Sequence, residues 1–416
     1  MNEQDTGVSE QIEQQLMHEL WLHDPEVQIR IRRASLGWLY LQVITTVFAE
    51  QDLVEREQYI DDILAAIDLE LNLYPFLDYK LQTPQEAEAD KQDPFQPIGI
   101  PLWSEIFLAP QPENPIPVDK SIAHRPLVVT FYSFKGGVGR STALAFVGNI
   151  LATRGQRVLM MDFDIEAPSL SFMSSSGSSR TARYGVLDYL HQHSLTPNQK
   201  RLPIVECICQ IDMPTRGELY LMPAGEYAAG YMHRLADLDI RLFYRRKVNP
   251  MHQLLDDIKA YLDPDIILID ARTGFTDIGA VALFDKADLG IICFSPTEQS
   301  FAGLQWVVEA ASKQRRYRGF PDLRFLLTPM PPVAQSLQDL WLARTAAWIA
   351  DHWEMPSSVV VEDIYYKIPY NANITTLTSL FDAVPVGILE PYIPVADAIS
   401  ACLSQEKDVA PPDLAD

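Results

Sequence analysis

Cysteine is scarce: four in 416 residues, at positions 207, 209, 293 and 402. That number cannot build a disulfide framework, and Cys207 and Cys209 form a C-x-C pair with no second pair nearby. They read as small apolar residues of a strand. Long hydrophobic runs are also missing. No stretch approaches the ~18 uninterrupted apolar residues of a membrane-crossing helix. The opening MNEQDTGVSEQIEQ is too polar and acidic for a secretory leader. Cations are in short supply, with 33 Lys and Arg against 56 Asp and Glu and a net charge of −23. A free-standing, sequence-independent DNA binder needs the opposite balance, because phosphate contacts require cations. What is plentiful is ordinary globular material, 47% hydrophobic and 21% charged residues, over a length suited to two or three domains. A cytoplasmic protein with no membrane association is expected.

The charge is unevenly spread. Residues 1–120 hold 23 acidic and 7 basic side chains, which marks a distinct acidic segment. Within it, residues 9–72 carry apolar side chains at spacings of three and four, from Leu16 and Leu20 through Ile29, Ile31, Leu39 and Leu41 to Ile60, Ile63 and Ile67. That periodicity predicts three or four helices, with Asp24-Pro25 as a cap and first-turn proline. Residues 1–80 are therefore expected to be a small all-α domain, either structural or a docking module for a protein partner. Arg30, Arg32 and Arg33, its only basic island, read as a solvated face. Residues 81–126 contain nine prolines. Proline removes donors and disfavours helix before it, so this is an extended linker, with Trp103, Ile106, Phe107 and Leu108 pinning it to a domain. The serine-rich stretch 174–179 reads as a surface loop, and residues 406–416 as a disordered acidic tail.

From residue 127 the texture changes. Apolar segments of strand length, 127–133, 157–162, 219–223, 265–270, 289–295 and 323–328, alternate with helical stretches near 141–154, 185–193, 249–262, 297–315 and 335–351. Apolar strands alternating with helices mean an α/β domain, spanning 127–405, with a mostly parallel twisted sheet covered on both faces. Ligands of such sheets sit beyond the carboxyl ends of the strands, where the polar motifs fall.

The first strand runs into Phe134-Lys135-Gly136-Gly137-Val138-Gly139-Arg140-Ser141-Thr142 and then a helix. Glycines let main-chain N–H groups turn around phosphate oxygens, and the helix N-terminus adds partial positive charge. Arg140 or Lys135 supplies a full positive charge, and the Ser141 hydroxyl stands where a Mg²⁺ ligand is needed. The loop departs from G-x-x-x-x-G-K-[ST] at Phe134 and Arg140. It resembles instead the deviant phosphate loop K-G-G-x-G-[KR]-[ST] of the ParA/MinD-like P-loop ATPases, over residues 126–400. The resemblance implies a P-loop NTPase fold, ATP and Mg²⁺ as cofactors, and an ATP-sandwiched homodimer in which Lys135 reaches the nucleotide of the other subunit. It also implies that Arg140 takes the place of the usual loop lysine, as in a subgroup that looks like regulators in bacterial multi-component or defence systems.

The second strand ends in Asp162-Phe163-Asp164-Ile165-Glu166, and residues two apart on a strand share a face. The resemblance makes Asp164 the candidate to orient the attacking water and Asp162 a support for Mg²⁺ or the loop, with Glu166 a weaker candidate. The strand DIILID closes on Asp270, a carboxylate placed to reach Mg²⁺, as phosphoryl transfer requires. Beyond it, Gly274 could offer a backbone N–H to a γ-phosphate, and Arg272 could sense that phosphate or pair with Asp277. No N-K-x-D follows a strand, since Asp285-Lys286-Ala287-Asp288 precedes one, so ATP is favoured over GTP. By resemblance, Thr328, Pro329 and Pro369 frame adenine. The expected partners are a second copy of the chain and an unidentified protein engaging the N-terminal domain. Basic clusters at Arg241, Arg245, Arg246 and Lys247 and at Lys313, Arg315, Arg316 and Arg318 keep a nucleoid-binding alternative open, which the net charge disfavours. A nucleotide-holding scaffold with negligible turnover is the other alternative.

Overall fold

A computed structural model of the chain describes residues 3–33, 39–65, 77–89, 101–108, 126–173, 182–195, 202–213, 216–244, 249–318, 321–355, 359–377 and 384–407. The serine-rich stretch 174–179, the basic run 245–247 and nearly all of the expected tail lie outside them. The chain divides into two compact units. One comprises residues 1–98 with 194–197 and 236–249, and the other holds the rest.

The N-terminal unit corrects the all-α expectation. Helices α1 (Glu3–Trp21) and α2 (Leu53–Ala65) are present, but a sheet accompanies them. Its strands are β1 (Gln28–Arg33), β2 (Leu39–Ile44) and β3 (Leu77–Gln82), in the order β1-β2-β3, with a short helix α3 (Pro84–Ala89) after β3. β1 runs antiparallel to β2, and β3 parallel to it. The physical reason lies in the period. Ile29 and Ile31 alternate with Arg30 and Arg32, and Leu41 and Val43 alternate with Tyr40 and Gln42. That is a two-residue repeat rich in β-branched side chains, and it overrides the looser three-and-four spacing. Asp24, expected to cap a second helix, instead closes the turn into β1. Its carboxylate accepts from Glu26 N at 3.0 Å, Thr45 Oγ1 at 2.8 Å and Thr46 N at 2.7 Å. The core joins Ile12, Leu16 and Leu20 of α1, Ile60 and Leu64 of α2, and Leu41, Val43 and Leu81 of the sheet.

In the second unit the α/β expectation holds. An eight-stranded sheet comprises β4 (Leu127–Tyr132), β5 (Arg157–Asp162), β6 (Cys209–Ile211), β7 (Glu218–Met222), β8 (Ile266–Asp270), β9 (Leu289–Phe294), β10 (Asp322–Met330) and β11 (Tyr365–Pro369). The strand order is β11-β10-β9-β4-β8-β5-β7-β6, parallel throughout except for the antiparallel edge strand β6. All six strands expected from the sequence are present. The two that escaped notice are edge strands: β6 is only three residues long, and β11 (YYKIP) is interrupted by Lys367 and closed by Pro369.

The helices that accompany them include α4 (Trp103–Leu108) before β4, then α5 (Arg140–Thr153), α6 (Val186–Leu195), α7 (Pro250–Leu262), α8 (Glu298–Arg318) and α9 (Gln335–His352), and α10 (Ile393–Lys407) after β11. α5 is apolar nearly all round, and residues 143–152 are buried between the sheet and α10. A helix of that composition needs cover on every side, which fixes the phosphate loop rigidly at its N-terminus. The register sets Asp162 beside Asp270 across β5 and β8, and Phe131 of β4 beside Asp270 on the other side.

Candidate functional site

The site lies at the carboxyl end of β4, in the middle of the sheet. Gly137 (φ 77°) and Gly139 (φ 75°) bend the loop through left-handed backbone that only glycine adopts cheaply. Nothing lies within 4 Å of where a Cβ on Gly136 or Gly137 would stand, so the loop opens on free space. Val138 is buried and anchors the loop, while Lys135 is exposed. Thr142 follows in the first turn of α5, half-buried.

Arg140 does not reach into the loop. Its side chain is 6% exposed and turns back onto the carboxylates. Nε donates to Asp270 Oδ1 at 2.5 Å, and one terminal nitrogen to Asp164 Oδ2 at 2.9 Å. Burial works against its charge, yet Asp270 and Asp164 hold its pKa above the usual guanidinium value. The other terminal nitrogen is buried without a hydrogen-bond partner. Arg272 closes on Asp164 from the opposite side, donating to Oδ1 at 2.7 Å, and lies 3.5 Å from Glu166. Asp164 is thus gripped by two guanidiniums.

Asp270 is fully buried, and its second oxygen accepts from Ser141 Oγ at 2.6 Å. Ser169 donates to Ser141 Oγ at 2.7 Å, a member of the site that no sequence motif marked. Ser171 is another, donating its N–H (3.1 Å) and hydroxyl (2.9 Å) to Asp162 Oδ2. Burial, and then the neighbouring Asp270, push the Asp162 carboxyl well above the usual carboxylate range. Among the described residues, no three carboxylate, imidazole or thiol side chains converge as a metal cage.

Gly274 sits beside the loop with φ 73°. Its N–H, expected to be free for a phosphate, donates to Ser133 O at 3.3 Å, and its carbonyl accepts from Tyr132 Oη at 2.8 Å. Thr328 is buried on β10, its Oγ1 3.5 Å from a Cβ placed on Gly139. Pro329 and Pro369 lie further along the same strand ends, on β10 and β11. The sequence therefore located the strand ends that meet here. It missed the serines and the direction in which Arg140 points.

This parallel sheet with a glycine loop between its central strand and a buried helix is a P-loop nucleotide-binding fold. A family model described as an AAA domain matches residues 127–318. The chain is 30% identical over 193 residues to the septum site-determining protein MinD of Escherichia coli K12, covering 46% of this chain and 61% of that protein. It is 29% identical over 222 residues to maintenance of carboxysome distribution protein A of Synechococcus elongatus, covering 53% and 76%. Among solved structures it resembles MinD of Pyrococcus horikoshii OT3 complexed with Mg-ADP, at a TM-score of 0.45, 17% identity and coverage of 68% and 98%. The chain spans 61% of the length of the E. coli relative. Within the P-loop fold, the matched part of the second unit is similar in sequence to MinD and to the carboxysome distribution protein. Among the described residues no helix is long and apolar enough to cross a membrane.

Proposed function

We propose that this chain binds ATP with Mg²⁺ at the 134–142 loop, hydrolyses it slowly, and uses nucleotide occupancy as a switch for homodimerisation and recruitment of a protein partner. The observation that carries the reading is Ser141 Oγ bonded to the buried Asp270 carboxylate directly beneath an open, glycine-lined loop. Main-chain N–H groups of Gly136, Gly137 and Gly139 suit phosphate oxygens. The orphaned guanidinium nitrogen of Arg140 is a buried donor awaiting an acceptor.

The residues fit a magnesium ion as well. Mg²⁺ keeps several waters and takes only one or two protein oxygens beside the phosphates, so the absence of a preformed cage is no obstacle. Ser141 and Asp270 would hold it, and Asp162 would support them. When bound, it supplies neutralising charge at the transferring phosphate. Asp164 orients the attacking water once a guanidinium releases it. Exposed Lys135 is placed to reach a second subunit, as the resemblance to the ParA/MinD-like family suggests. Thr328, Pro329 and Pro369 frame the base, and the N-terminal unit is the partner's docking module.

Titration of MgATP into the pure protein tests the binding, and phosphate release by wild type and Asp164→Ala tests turnover. Heat on binding with a faster wild type is expected. No heat in calorimetry would end this reading. One observation favours a scaffold with negligible turnover, namely that Asp164 is clamped by Arg140 and Arg272 together. Equal phosphate release from both proteins would choose it. Nucleoid association gains little support, because Lys313 pairs with Glu309 and Arg315 with Glu354 O and Asp322.

A further inference from the structure

The linker was expected to be pinned by Trp103 and its neighbours, and the place where it is pinned is informative. Trp103 is 7% exposed, and its indole Nε1 donates to the carbonyl of Thr276 at 3.1 Å. Its ring meets Phe275 and Phe284 edge-on, both at 4.8 Å, and Tyr132 at 6.0 Å. Leu102 and Ile106 are buried beside it. Phe107, one turn on, packs edge-on against Trp306 of α8 at 5.4 Å and lies under the Lys313 ammonium at 4.5 Å. α4 is thus fastened at one end to the body of the domain and at the other to the 272–276 loop.

That loop borders the phosphate loop directly. Gly274 is bonded through both its N–H and its carbonyl, to Ser133 and Tyr132, the two residues before Phe134. Phe134 in turn meets Phe275 at 5.0 Å. One aromatic cluster therefore joins the linker, the 272–276 loop and the start of the phosphate loop, and beside it the Gly274 N–H is engaged by Ser133 O.

We infer that α4 is a strap, with Trp103 as a positioning residue that holds the 272–276 loop where the Gly274 N–H is bonded to Ser133 O, so that ATP binding and attachment of the strap oppose one another. The inference rests on the nucleotide reading above. Gly274 can turn its N–H to a γ-phosphate only by leaving Ser133, and the loop cannot shift without disturbing the Thr276 carbonyl and Phe275, which Trp103 holds. Coupling of this kind is reciprocal. If ATP loosens the strap, removing the strap tightens ATP binding by the same factor. The event at the nucleotide is thereby reported at the linker.

The test uses the full chain. MgATP affinity is measured by calorimetry for wild type, Trp103→Ala and Trp103→Phe, and amide exchange is followed over residues 101–108 with and without nucleotide. Trp103→Ala is expected to bind MgATP about 5-fold tighter or more, the lower end of ordinary coupling. Trp103→Phe keeps an aromatic ring but loses the indole donor, and is expected to fall between the two. Exchange at Ile106 N–H, which bonds Leu102 O, is expected to accelerate when wild type binds MgATP. Binding by the variants alone would also support the strap. Equal or weaker affinity in the variants, with exchange unchanged, would overturn the strap and leave the nucleotide site standing. Absence of binding in all three proteins would overturn both. Should the alanine variant fail to fold, the phenylalanine variant decides the matter by the same criteria.

Discussion

Removing Arg140 gives the sharpest test of how the site is held together. The guanidinium makes two charge-assisted bonds, to Asp270 at 2.5 Å and to Asp164 at 2.9 Å. The three side chains are 6%, 0% and 8% exposed respectively, so solvent screens little of the interaction. Arg140→Ala leaves Asp270 with the hydroxyls of Ser141 and, at 3.4 Å, Ser169, and Asp164 with Arg272 as its one counter-charge among the described residues. Breaking a buried pair by deleting one partner costs about 3–5 kcal/mol. At about 2–4 °C per kcal/mol for a domain of this size, that is roughly 6–20 °C in melting temperature. Arg140→Lys keeps a charge but offers a point in place of a planar fork. It gives up one charged hydrogen bond, about 1.5–3 kcal/mol. The order of stability is therefore wild type, lysine, alanine, read by urea and thermal unfolding. Adding Asp270→Asn to the alanine variant removes the stranded charge and recovers part of the loss. An alanine variant within about 1 kcal/mol of wild type, below the range for a broken buried pair, would refute the reasoning, because the guanidinium could not then be balancing those carboxylates.

Further measurements probe other parts. Arg56 grips Glu86 through two nitrogens at 2.7 and 3.0 Å and holds its carboxyl at about 2. A depressed folded-state pKa stabilises the fold above the ordinary value near 4.5 and gives that up as pH falls from there towards 2. Because Glu86 is 48% exposed, solvent discounts the contribution to about 1 kcal/mol. Glu86→Gln should remove that much at pH 7 and almost none at pH 2, as denaturation at the two pH values would register. Ser141→Ala should abolish the gain in ATP affinity that magnesium brings while leaving metal-free binding nearly unchanged, as calorimetry with and without the ion would show. Lys135→Ala should bind ATP yet stay monomeric by light scattering, where the wild type is expected to dimerise. A Cβ on Gly303 would stand 2.0 Å from the Phe134 ring. Gly303→Ala should therefore cost about 1–3 kcal/mol of stability and weaken ATP binding by displacing the start of the loop.

Much of this molecule was settled by its residues alone. The runs ending in Tyr132, Asp162 and Asp270 are apolar through most of their length, as a strand buried on both faces requires. The glycines at 136, 137 and 139 permit the left-handed backbone a phosphate loop needs, and their place between an apolar strand and a helix marks it as one. Periodicity served less well between residues 28 and 44, where the two-residue repeat of Ile29 and Ile31 and of Leu41 and Val43 is short and sits inside a longer run of helical spacings. Pairing with β3, more than thirty residues further on, decides between them. Tertiary structure alone turned Arg140 back onto Asp270 and Asp164, brought Ser169 and Ser171 to the carboxylates, and laid Trp103 on Thr276. These contacts join residues from 9 to 173 positions apart. Local sequence records a side chain's chemistry and its strand or helix. The direction in which a long cation points is set by which charges the folded chain brings within its reach.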